Sequence, residues 1–187
     1  MKKTLLLEIA KNSIKSHFGK TMLETKTLSK DNPQLLEQGA VFVTLTLDGE
    51  LRGCIGSIIA HRSLLDDLIH NAKAAAFEDP RFPPLSEEEF SKIDIELSLL
   101  SMPKEIPYKD IEDLKSKISV NVDGVVLRDG NYQSTFLPQV WEQLPSFDLF
   151  FAHLCQKAGL GTDCLLNHPQ IFTYQVEKIS KGDCDES

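Results

Sequence analysis

Asp48-Gly49 is the tightest constraint on how this chain folds, because the dipeptide separates two runs of strand-forming residues. Val41 to Leu47 mixes β-branched, aromatic and aliphatic side chains, and Glu50 to Ser57 follows at once. The segment is predicted to be a β-hairpin with a two-residue turn. Pairing Leu47 with Glu50 sets Val43 opposite Cys54 and Leu45 opposite Arg52, so that Arg52 and Cys54 share a face with Val41, Val43 and Leu45. Gly53 and Gly56 fall inside the second strand, where glycine marks a bulge or the close approach of another backbone or a ligand. An arginine and a cysteine set among such glycines form a site-like arrangement.

The flanking sequence supplies helices. Leu5, Leu6, Ile9, Ala10, Ile14 and Phe18 recur at helical spacing up to Gly19, and Ser29 to Gly39 is polar and predicted as a loop. After the hairpin, Ser63 caps a helix whose apolar face runs from Leu64 to Ala76 and ends near Phe77. The prolines of Glu78-Asp79-Pro80-Arg81-Phe82-Pro83-Pro84-Leu85 forbid regular helix and hold an extended loop that presents Asp79 and Arg81 in fixed directions. Ser86 and Glu89 make a second capping box, and Ile93 to Leu99 alternates as a strand. Further on, Ile111 to Ile118 suggests a short helix. Ser119 to Val122, Val125 to Leu127 and Tyr132 to Phe136 are predicted as strands broken by Asp-Gly turns. Pro138 and Ser146 open two more helices, and Ile171 to Lys178 is predicted as one closing strand before a frayed tail, residues 181–187. Strands grouped in hairpins with helices between the groups predict an α+β fold, a mostly antiparallel sheet with flanking helices, in a single domain over residues 1–187.

Charge and composition exclude several functions. A net charge of −8 with no basic run longer than Lys2-Lys3 leaves no footprint for general nucleic-acid binding. The apolar start is cut short by Glu8 and Lys11, and no stretch approaches the ~20 apolar residues of a membrane span, so a cytoplasmic protein is expected. Cys54, Cys155, Cys164 and Cys184 lack framework spacing, and all four are expected as free thiols. No Cys/His set has zinc-finger spacing and no glycine-rich nucleotide motif occurs, so the sequence indicates neither a metal nor a cofactor.

Two residues carry the candidate chemistry. Cys54 is the candidate catalytic residue, a nucleophile or redox thiol that a neighbouring Arg52 would activate; its other role is that of a small buried hydrophobe. His61, His70 and His153 are each possible bases, and none is indicated. Arg52, on an apolar strand face, must find either an acidic partner, Asp79 or Glu96, or a bound anion.

The runs DGELRGCIGS, AAAFEDPRFPPL, STFLPQV and LCQKAGL, in this order from about residue 40 to 160, resemble the AMMECR1 family, also described as protein A of the AmmeMemoRadiSam system. The resemblance implies a larger and a smaller subdomain around a cleft. Asp79, Arg81 and Gln139 are the matching family positions that would complete a cleft wall, and together with Arg52, Gly53 and Gly56 of the hairpin they are the candidate substrate-binding residues. The family name links the chain to a Memo-like protein, similar to non-haem iron dioxygenases, and to a radical SAM protein. An accessory or regulatory role beside such partners is therefore expected, with an autonomous Cys54 enzyme that holds an anionic substrate on Arg52 as the alternative. The resemblance breaks after KAGL, where many members carry a tryptophan and this chain has Asp163-Cys164-Leu165-Leu166; Trp141 follows the LPQV motif.

Overall fold

The computed structural model describes residues 1–184, and the chain divides into two compact units: Met1–Leu100 with the segment from Glu177 onward, and Ser101–Val176. The architecture is α+β, with helices flanking two mainly antiparallel sheets.

In the first unit, α1 (Lys3–His17) buries Leu6, Ile9, Ala10 and Ile14 on one face. The stretch from Ser29 to Gly39 is more ordered than its polarity predicts. Helix α2 (Thr25–Asp31) overlaps its start, and a 3-10 turn at Pro33–Leu36 follows because Pro33 suits a first-turn position and Leu35 is fully buried. Strands β1 (Ala40–Leu47) and β2 (Glu50–Gly56) form the hairpin, with Asp48 at φ +52° and Gly49 at φ +80°. Two left-handed residues in succession match the right-handed twist of the strands, which is why Asp-Gly stands there.

The hairpin's register differs from the simple pairing. Leu47 does face Glu50, but the ladder slips between Leu45 and Thr46, so that Leu45 faces Gly53 and Thr44, not Val43, faces Cys54. Arg52 is the extra residue of a β-bulge. The slip carries Cys54 onto the face of Thr44 and away from Val41, Val43 and Leu45, which are fully buried core residues.

Helix α3 (Leu64–Phe77) is capped by Ser63, whose hydroxyl accepts from the Asp66 N–H, and α4 (Glu87–Phe90) has a complete Ser86/Glu89 capping box. Strand β3 (Asp94–Leu100) pairs antiparallel with β1, and β8 (Val176–Ile179) completes a sheet of order β2-β1-β3-β8. Helices α1 and α3 supply Ile9, Ile14, Leu65 and Leu68 to a core that includes Val43, Leu45 and Leu97 of the sheet. Each fully buried side chain of this size contributes about 1.5–3 kcal/mol.

The second unit contains β4 (Lys104–Glu105), α5 (Ile111–Lys117), β5 (Gly124–Asp129), β6 (Tyr132–Phe136), α6 (Phe147–Lys157) and β7 (Gln170–Tyr174), with sheet order β4-β7-β5-β6. Its core centres on Trp141, stacked on Phe150 at 3.6 Å between ring centroids, and the indole N–H donates to the Asp123 carbonyl at 2.8 Å. Ser119 to Val122 is not a strand. The Asp123 carboxylate accepts the Ser119 N–H, the Asp123 N–H returns to the Ser119 carbonyl, and Asn121 is left-handed, which closes the segment into a turn. The predicted closing strand is two strands, β7 and β8, in different sheets; at the break, the Ser101 N–H donates to the Gln175 carbonyl and the Gln175 N–H donates to the Ser101 hydroxyl.

Cys155 and Cys164 are joined in a disulfide, which overturns the expectation of four free thiols. After α6 the chain reverses through Gly159 at φ +86° and brings Cys164 back against the helix, with a Cα separation of 5.8 Å that suits a bridge. Spacing alone did not reveal that reversal. Cys54 is free, and the Cys184 side chain lies outside what the structure describes. A tail of 181–187 was expected to fray; Lys181–Cys184 instead forms a 3-10 turn, and residues 185–187 lie outside the described residues.

Candidate functional site

Strand β2 is an edge strand, and the proline-rich loop lies along its open side. The loop is fixed at both ends: the Phe82 N–H donates to the Asp79 carbonyl and the Leu85 N–H to the Ala76 carbonyl, with Leu85 buried. Asp79, only 4% exposed, accepts the Cys54 backbone N–H at 3.0 Å. Arg81 donates Nε and Nη2 to the same carboxylate, at 3.0 and 2.7 Å, and Nη2 also reaches the Cys54 carbonyl at 3.4 Å. One acceptor and one donor thus meet the N–H and C=O of Cys54 much as a neighbouring strand would, which closes an edge otherwise open to another chain. Chiefly through Arg81, and further through the Cys54 N–H, the carboxyl of Asp79 is held well below the usual range.

Arg52 points into the same loop. Its Nε and Nη2 form a two-pronged bond to Glu89 at 2.7 and 3.2 Å, and Nη2 also donates to the Pro83 carbonyl at 2.7 Å. The partner is Glu89 of the capping box and neither Asp79 nor Glu96, the two predicted from sequence. The guanidinium, with help from the Ser86 N–H, lowers the Glu89 carboxyl from 4.5 to about 2. The guanidinium groups of Arg52 and Arg81 sit 5.7 and 5.5 Å from the centroid of the Phe82 ring. The bulge is what re-aims Arg52 into this group.

The two glycines serve packing. A Cβ on Gly53 would stand 2.0 Å from the Ala75 carbonyl oxygen of α3, so β2 and the alanine-rich face of that helix meet backbone to backbone. A Cβ on Gly56 would strike the Phe42 ring at 2.2 Å. The space a side chain would take is occupied by the α3 backbone at Gly53, the close backbone approach expected of a strand glycine, and by the Phe42 ring at Gly56.

Cys54 is half-buried, and its sulfur lies 3.3 Å from the Thr44 hydroxyl. Sequence reasoning missed Thr44 because the bulge shifts the register by one. A second omission is the polar network at the open end of the hairpin. Asp67, fully buried in α3, accepts from the Val41 N–H, the Ser57 hydroxyl and Arg62 Nε, while Asn71 donates to the Val41 carbonyl. Asp67 and Asn71 fall one turn apart on α3, a spacing that could have flagged them as one polar stripe.

Arg52, Gly53, Cys54, Gly56, Asp79 and Arg81 are therefore neighbours within the first unit, whereas Gln139 belongs to the second, exposed on a 3-10 turn at Pro138–Glu142. Among the described residues no three His, Cys, Asp or Glu side chains converge as a metal-binding group, and no helix is long and apolar enough to cross a membrane.

The chain is similar to proteins of several archaea. Protein SSO0193 of Saccharolobus solfataricus is 43% identical over 174 residues, which cover 87% of this chain and 74% of that protein. A protein of Methanothermobacter thermautotrophicus is 36% identical over 179 residues, covering 92% and 90%. Among solved structures, the uncharacterized protein PH0010 from Pyrococcus horikoshii superposes with a TM-score of 0.71 at 33% identity, over 93% of this chain and 88% of that one. The AMMECR1 family model matches residues 7–179. The chain belongs to the AMMECR1 family.

Proposed function

We propose that the protein is an intracellular accessory subunit that docks a Memo-like or radical SAM partner on the surface made by the LRGCIG hairpin and the proline-rich loop. The observation that carries this reading is that the charged groups there are already committed to one another. Arg52 is taken by Glu89 and Pro83, and Asp79 by Arg81 and the Cys54 N–H. The side chain hydrogen-bonded to the Cys54 sulfur is the Thr44 hydroxyl, which does not take a proton from a thiol near neutral pH. Such an arrangement suits a stiff recognition surface better than a reacting centre. It displays exposed Leu51 on β2, and exposed Pro83 and Pro84 with the outward-facing Arg81 on the loop, apolar and cationic groups of the kind interfaces use.

Co-purification of the full chain with a Memo-like and a radical SAM protein tests the proposal. Retention of one of them by the parent and by Cys54→Ser, and its loss in Leu51→Asp with Arg81→Glu, is the expected result. The free, half-buried Cys54 favours a second reading, the autonomous thiol enzyme. Rapid alkylation of Cys54 near neutral pH, with a turnover abolished by Cys54→Ser, establishes that reading instead.

A further inference from the structure

Away from the hairpin and its loop, the C-terminal half of α1 and the residues around α4 border a half-open pocket of about 360 Å³. Phe18 and Phe90 form an aromatic floor, with ring centroids 5.9 Å apart. Lys11, Lys15 and Lys20 stand around it with one carboxylate, Glu87, which is ion-paired to Lys20. Lys11 and Lys15 lie one helical turn apart on the same face of α1, and among the described residues neither has a carboxylate within ion-pair reach. Like charges at this spacing repel and destabilise a helix. The dipole at the end of α1 favours Lys15 in the last turn, yet it gives no reason for Lys11 to converge on the same hollow. Three lysines and one glutamate leave an excess of two positive charges around an apolar floor, in a chain whose net charge is −8.

We infer that this pocket binds a small molecule that joins one flat apolar ring to a phosphate-like dianion. Volume sets the size, since the pocket is near the lower end of the ~300–1,000 Å³ typical of ligand sites, enough for a single ring and its anionic group. Charge sets the head group, because a phosphate monoester carries about −1.5 to −2 at neutral pH and matches the local excess. Lysine ammonium groups of α1 and of the turn that follows it bind it as mobile point charges, and no fixed fork is needed. The phenylalanine floor takes the ring. This site is independent of the partner surface proposed above, and the two stand or fall separately.

Titration calorimetry of the full chain with phenyl phosphate at low salt tests the inference. One site is expected, at least about tenfold tighter for phenyl phosphate than for inorganic phosphate or for phenol alone. Lys11→Gln with Lys15→Gln, the first exposed and the second half-buried, is expected to weaken phenyl phosphate by about tenfold or more, and Cys54→Ser to leave it unchanged. Circular dichroism confirms that the variants are folded. Undetectable binding of phenyl phosphate, inorganic phosphate binding equally well, or a folded double variant that binds as the parent does would each overturn the inference.

Discussion

The Asp79 carboxylate accepts the backbone N–H of Cys54, 25 residues earlier in the chain, at 3.0 Å. A side chain here does what a strand backbone would do, and it does so for the residue at the centre of the LRGCIG run. Asp79→Asn keeps the shape but turns an acceptor-only group into one that also carries two donors, against three N–H groups of Arg81 and one of Cys54. Urea unfolding is expected to show a loss of about 2–3 kcal/mol, the range for bonds to a charged group left poorly matched. A change of a few tenths would mean that the loop docks without Asp79.

Arg52→Ala is expected to cost roughly 2 kcal/mol, between the ~1 of an exposed pair and the ~3–5 of a fully buried one. Arg52 is buried while Glu89 remains partly open to solvent. The double change Arg52→Ala with Glu89→Ala should cost less than the sum of the two single changes, as coupled partners do. Additive denaturant midpoints would show that the ion pair contributes nothing.

Acid sensitivity follows from the same two carboxylates. Asp79 and Glu89 both titrate below their unfolded values, so the stability they add is present in full above the ordinary carboxylate range and drains away as the pH falls through their folded values. For Glu89 the window runs from 4.5 down to about 2. Melts across this range should show the parent losing stability steeply and Glu89→Gln losing less, because the variant has no proton to take up there. Identical slopes would remove Glu89 from the account.

Gly53→Ala addresses packing alone. The added methyl meets the Ala75 carbonyl oxygen at 2.0 Å, backbone against backbone, so β2 or α3 must move. A loss of about 1–3 kcal/mol is expected, in the range of overpacked cores. An unchanged midpoint would mean that the helix and strand slide apart freely.

The parts of this molecule that were legible in its sequence are those set by local chemistry. The Asp48-Gly49 turn, the Ser63 and Ser86 caps, and the proline-held loop each rest on residues within a few positions of one another. Illegible were the features decided across space. The bulge that moves Cys54 from Val43 to Thr44 falls at Arg52, whose partner Glu89 is 37 residues away. Glu89 already had a local role in the Ser86 capping box, which hid its second one. Likewise, the alternation from Ile171 to Lys178 does not register that one strand serves two sheets, since both halves alternate alike.

The Cys155–Cys164 bridge provides the last test. Both sulfur-bearing residues are buried, and the bond closes a short loop from the last turn of α6 through Gly159 to the 3-10 turn at Cys164–Asn167. Loop-closure entropy for a sequence separation of 9 amounts to about 2–3 kcal/mol in the chain-entropy account. Cys155→Ser is expected to lose about that much and to gain nothing from added oxidant, whereas the parent should lose a similar amount in a strong thiol reductant. Alkylation of the unreduced, unfolded protein should leave Cys155 and Cys164 unlabelled while Cys54 is labelled, and prior reduction should expose both. Labelling of Cys155 and Cys164 without reduction would return them to the free thiols that their spacing suggests.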